Sequence, residues 1–141
     1  MISAVLDTNI LASGVLTAST PPRQIIDYWR NGKFELLISE HIIYELENTL
    51  RKPYFQNVLK AENIDDFLDL LIQDAALIPI ITKVKGVATH PEDDIVLATA
   101  ESGKAEYIVT GDHGLQSLKQ FKRIKIVSPK IFVEMLQYKK N

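Results

Sequence analysis

The sequence predicts an α/β fold: a three-layer α/β/α sandwich around a parallel sheet of about five strands. Three observations lead there. Short β-branched runs alternate with longer segments of helical spacing. Serine and proline punctuate the starts of those segments. No repeat, low-complexity tract or long linker divides the 141 residues, so residues 1–141 read as a single domain with one core.

The strand runs are Ile2–Leu6, Phe34–Ile38, Leu77–Ile81, Tyr107–Val109 and Ile124–Val127, each short enough for a buried strand. Helical spacing relates Ile25, Ile26 and Trp29, then Ile42, Ile43, Leu46 and Leu50. It returns in Phe67, Leu68, Leu71 and Ile72, in Ile95, Leu97, Ala98 and Ala100, and in Ile131, Phe132, Met135 and Leu136. Ser39 is placed to cap the second of these helices. Pro53 ends it, because proline lacks an amide and disfavours helix in the residue before it. Asn63 is expected to cap the next helix, with Asp65 and Asp66 in its first turn. Pro91 after His90, and Pro129 after Ser128, mark two further starts.

Composition excludes several classes. No apolar run approaches the ~20 residues that span a bilayer. The first residues, Met1 to Asp7, lack a basic segment and reach an acid at once, so they do not read as a signal peptide. Cysteine is absent, which removes disulfides, thiolate metal sites and thiol nucleophiles and fits a cytoplasmic location. The net charge of −2 argues against a uniformly basic nucleic-acid binder. The charge is uneven, however. Seven basic residues and one acid lie between Lys119 and Asn141, including Lys139 and Lys140, and such a local surface can meet phosphate.

In parallel sheets, ligands bind outside the carboxyl ends of the strands. Asp7 follows the first strand directly, beside Thr8 and Asn9. Asp112 follows the fourth through Thr110 and Gly111. Asp93 and Asp94 open the helix that leads into that strand, and Glu45 lies on the helix after the second. On a helical wheel, Glu45 and Glu47 flank opposite edges of the apolar stripe, and geometry alone leaves both open. Each acid has a plainer role available: dipole complement for Asp93 and Asp94, turn chemistry for Asp7 and Asp112, a solvated helix face for Glu45. Their combination is more informative. Like charges ~4 Å apart repel by about 1 kcal/mol in water and about 4 kcal/mol at an effective dielectric near 20. Protonation or a cation relieves that repulsion. An all-oxygen donor set selects Mg²⁺ or Mn²⁺. His41, His90 and His113 are scattered, with no spacing that suggests zinc.

These residues resemble the PIN-domain nucleases, especially the short bacterial and archaeal members known as VapC-like toxins. The resemblance covers essentially the whole chain. Val5-Leu6-Asp7-Thr8-Asn9-Ile10 looks like the opening motif, and Ser39 through Leu46 like the second, which favours Glu45 over Glu47. Pro91 through Ala100 looks like the third, with Asp94 as its acid four residues before Ala98 and Asp93 as a helper. Ala105 through Asp112 looks like the fourth. One departure is Gly114, where family members often carry another acid. The resemblance implies a central first strand, homodimers, and a cognate antitoxin. It also implies a Mg²⁺- or Mn²⁺-dependent endoribonuclease in which Asp7, Asp94 and Asp112 hold metal and Glu45 positions a metal or the attacking water. Thr8, Asn9, Ser39 and Thr110 would fix the carboxylates. Two rival readings remain: a weak or inactive module of this fold that binds RNA or protein, kept open by Gly114, and a phosphatase using Asp7 as nucleophile, which would need an aspartate where Asn9 stands.

Overall fold

The computed structural model describes residues 1–16 and 19–138. Lys139 and Lys140 of the basic stretch therefore lie outside the described residues. Strand β1 (Ser3–Leu6) is followed by helices α1 (Thr8–Leu16) and α2 (Pro21–Arg30), then β2 (Glu35–Ile38). Next come α3 (Glu40–Leu50), α4 (Pro53–Gln56), α5 (Ala61–Asp74) and β3 (Ala76–Leu77). Helix α6 (Pro91–Ser102) leads to β4 (Tyr107–Val109), α7 (His113–Gln116), β5 (Gln120–Phe121), β6 (Ile124–Val127) and α8 (Pro129–Tyr138).

The strands form one sheet in the order β3-β2-β1-β4-β6-β5, parallel except for β5. Strand β1 is central, as the resemblance implies. The chain builds outward from β1 through β2 to β3, then crosses back to place β4 on β1's other side. That reversal leaves a crevice at the carboxyl ends of β1 and β4. Val5, Ile108 and Val109 are fully buried, because helices flank the sheet and a buried parallel strand needs apolar side chains on both faces. Helix α6 packs on β1, β2 and β4. Phe132 of α8 meets Phe34 edge-on at 5.1 Å between ring centroids.

Several boundaries differ from the sequence reading. The sheet has a sixth strand, the short antiparallel β5. Strand β3 pairs through Ala76 and Leu77, so of the third run, Leu77–Ile81, only Leu77 is strand, since Pro79 has no amide to continue the ladder. Helix α5 begins at Ala61 with Lys60 as cap residue, so Asn63 does not cap it, and Glu62 rather than Asp65 or Asp66 is the acid of its first turn. The earlier start carries Ile64 into the core, where it is fully buried, whereas Ile72 is exposed. Helix α1 was not legible, because Gly14 interrupts it and its apolar pattern is short. Gly14 is required where it stands: an added Cβ would collide with the Ile26 side chain of α2 and approach the Pro22 carbonyl to 3.1 Å. Gly14→Ala is therefore expected to cost about 1–3 kcal/mol through overpacking, despite alanine's better helix propensity. A urea denaturation midpoint equal to or above the parent's would contradict this.

Candidate active site at the carboxyl edge of the sheet

Asp7 is nearly buried at the end of β1. Its Oδ1 accepts the Asn9 amide at 2.7 Å, and its Oδ2 accepts the Thr110 hydroxyl at 2.6 Å. Thr110, itself fully buried at the end of β4, also accepts the Asp112 amide at 3.0 Å. One hydroxyl thus ties the two strand ends together and fixes how Asp7 and Asp112 sit relative to each other. Gln116 steadies the same point by donating to the Thr110 carbonyl at 2.6 Å. Asp112 Oδ2 accepts the Leu115 amide at 2.7 Å and caps α7. Each carboxylate oxygen has two lone pairs, so one backbone bond leaves capacity for a ligand.

Glu45 and Glu47 separate cleanly. Glu47 bonds Arg51 at 3.3 Å, and Arg51 in turn bonds Asp65 at 2.7 Å, on the outer side of α3. Burial, followed by the charges of Glu92 and Asp7, raises the Glu45 carboxyl above the ordinary carboxylate range, while His41 opposes the shift. Glu45 therefore feels the rim and Glu47 does not.

The two aspartates of α6 sit in different surroundings. Each oxygen of Asp94 accepts one backbone amide, Gly86 at 3.0 Å and Ala88 at 2.8 Å, and keeps a second lone pair, as the oxygens of Asp7 do. Asp94 is buried under the segment that precedes its own helix and clamps it. Asp93 meets the other acids instead. Burial, then the charges of Asp112, Asp7 and Glu92, push its carboxyl up to about 6, against a partial offset from His90.

The supporting residues behave unevenly. Thr110 bonds a carboxylate through its side chain. Asn9 does so through its backbone, with an exposed side chain, and no hydrogen bond of the Thr8 side chain is seen among the described residues. Ser39 caps α3 by accepting the Ile42 amide at 3.4 Å, and its hydroxyl lies 2.9 Å from that of Thr99 on α6. It joins α3 to α6 rather than holding an acid. Sequence reasoning missed Glu92, which acts on both Glu45 and Asp93; the adjacent acids in Pro-Glu-Asp-Asp were the available signal. Gly114 faces Asp112 closely: a Cβ there would lie 3.2 Å from Asp112 Oδ2 and 3.5 Å from Thr89 Oγ1.

Among the described residues no three acids or histidines stand close enough together to close a metal shell by themselves. The donors are all hard oxygens carrying uncompensated like charge, and that chemistry fits a divalent ion held by one or two carboxylates and water. Beside the rim, a groove of about 420 Å³ is lined by His41, Lys83, Lys85, Pro91 and Asp94. No helix among the described residues is long and apolar enough to cross a membrane.

Solved structures show the same fold. The chain aligns with VapBC2 from Rickettsia felis, bound to a DNA fragment from its promoter, at TM-score 0.61 and 16% identity, covering 90% of this chain and 98% of that one. It aligns with PAE2754 from Pyrobaculum aerophilum at TM-score 0.60 and 15% identity, covering 98% and 97%. For FitAcB from Neisseria gonorrhoeae the values are 0.55 and 17%, covering 90% and 98%. Among curated proteins, none matches the sequence. The family model of the PIN domain matches residues 3–114, a span that contains every acid of the rim, and the chain belongs to the PIN domain family.

Proposed function

We propose that the chain is a divalent-metal-dependent ribonuclease that hydrolyses RNA phosphodiester bonds at the β1/β4 crevice. The observation that carries this reading is the convergence of Asp7, Glu45, Asp93 and Asp112 on one rim, where Asp93 is pushed up to about 6. Asp7, Asp93 and Asp112 would hold Mg²⁺ or Mn²⁺, with Asp94 beside them through the free lone pairs of its two oxygens. Such an ion, when bound, acidifies water and polarises a phosphate. The protein's own groups do the rest. The Asn9 amide and the Thr110 hydroxyl hold the Asp7 carboxylate in one orientation. Glu45, whose carboxyl is raised by burial and by the charges of Glu92 and Asp7, would orient the attacking water and accept its proton. Lys83 and Lys85 flank the groove beside the rim and would pair with backbone phosphates of a single strand.

The VapC-like motifs, with the fold likeness to VapBC2 and FitAcB, support a broader proposal. The chain would be the toxin of a toxin–antitoxin pair, held by a cognate antitoxin, and homodimeric when free. Size-exclusion chromatography with light scattering tests the dimer. The central test is cleavage of single-stranded RNA with Mn²⁺, with Mg²⁺ and with EDTA. Cleavage only with metal, leaving 5′-phosphate and 3′-hydroxyl ends, is the expected result. Salt-dependent RNA binding without metal-activated turnover would instead establish the binding-only reading left open by Gly114.

A further inference from the structure

The basic stretch near the C-terminus does not border the carboxylate rim. Lys122, Arg123 and Lys125 line a cavity of about 590 Å³ at the opposite end of the sheet, where β4 and β6 begin. Lys104, at the end of α6, joins them, and Tyr107 and Ile124 form part of the wall. Two acids also line the cavity: Glu101 Oε1 pairs with Lys122 at 2.9 Å, and Glu106 Oε1 accepts the Ser3 amide at 3.3 Å and keeps its charge. Lys104, Arg123 and Lys125 make no ion pair among the described residues. Four cations therefore face two carboxylates, an excess of two positive charges on the cavity wall.

The backbone sharpens the point. Lys104 has φ +54° and Lys122 has φ +55°, in the left-handed region where a Cβ is strained and glycine is at ease. Two lysines thus occupy glycine-favoured positions on the same cavity wall. Packing does not explain Lys104, whose side chain is exposed.

We infer that this cavity is a second ligand site, separate from the carboxylate rim, for the phosphate of a nucleotide. Lys104, Arg123 and Lys125 would neutralise the phosphate, and the Tyr107 side of the wall would take the base. A volume near 590 Å³ suits a molecule of that size, within the roughly 300–1,000 Å³ typical of small-ligand pockets. The phosphate could belong to a free nucleotide or to a nucleotide within an RNA strand.

The test is titration of the full chain in EDTA, which prevents metal-dependent cleavage, with 5′-AMP and with a single-stranded RNA octamer. Lys104→Gly removes one cation and relaxes the backbone, so it should weaken binding by about tenfold while leaving the melting temperature unchanged or raised. Arg123→Gln should weaken binding similarly, and Lys130→Gln, an equal charge loss on α8, should not. Weakened binding of AMP points to a free nucleotide; weakened binding of the octamer alone points to a strand. If neither probe is weakened by Lys104→Gly and Arg123→Gln more than by Lys130→Gln, the site does not exist. Because cleavage is not read, this result is independent of the proposed ribonuclease activity.

Discussion

Asp93→Asn is expected to lower metal-dependent RNA cleavage by about 100-fold or more while making the apo protein more stable at neutral pH. The two effects share one cause. Burial and the charges of Asp112, Asp7 and Glu92 disfavour the Asp93 carboxylate, and the same charges are what a divalent ion would be drawn to. The sign follows from linkage. Asp93 titrates at about 6 in the folded protein against an ordinary value of 3.8, so folding favours its protonated form. Its favourable contribution is complete below pH 3.8 and is lost as pH rises through 6. Asparagine imitates the protonated state at every pH. The variant's advantage should be absent near pH 4 and full above pH 6. A shift of about two units corresponds to nearly 3 kcal/mol at full strength, but Asp93 is only partly buried, and water screening reduces this to about 1 kcal/mol. Thermal melts in EDTA at pH 4.0, 5.5 and 7.5 read this directly. A variant that cleaves like the parent, or that melts lower at pH 7.5, would remove Asp93 from the site.

Much of this rim was legible because strand ends are legible. Asp7 and Asp112 follow short β-branched runs, and a parallel sheet brings such positions to one edge whatever the loops do. Glu45 was reached only with the motif resemblance, since the wheel treats it and Glu47 alike; Arg51, bonding Glu47, separates them in three dimensions. The difference in surroundings between Asp93 and Asp94 was not legible at all. It depends on the segment before α6, whose Gly86 (φ +75°) turns the backbone so that two amides face one carboxylate. Helix α6 also hides its facing, because Val96 through Ala100 are buried all round and leave no polar stripe to set the phase. The placement of the basic stretch was hidden for a related reason: charge density along the chain does not say which end of a parallel sheet it borders. Lys119 to Lys125 fall in the hairpin that enters β6 at its start, far from the acids that follow β1 and β4.

Asp94→Ala should be the most destabilising of the acidic substitutions at the rim, by about 2–4 kcal/mol, for reasons unrelated to metal. It would strip the acceptor from two backbone amides at once, and both bonds are charge-assisted. Removing one partner of such a pair costs more than the bond is worth, because the donors left behind must find water at a partly buried position. Residues 82–90 carry no helix or strand of their own, so little else would hold them. Their amides should lose hydrogen-exchange protection, and the segment should become a proteolytic cut site while α6 stays folded. Asp94→Asn gives the sharper comparison with Asp93→Asn. Its single oxygen can accept one of the two amides, but its NH₂ group meets the other donor head-on, so roughly half the clamp survives. The loop should loosen and the apparent KM rise, with kcat reduced by less than about tenfold, because the groove wall moves while Asp7, Asp93 and Asp112 keep their places. The opposite pattern would put metal binding ahead of the clamp in the role of Asp94. It would consist of lost Mn²⁺ affinity in Asp94→Asn, with exchange protection at Gly86 and Ala88 intact.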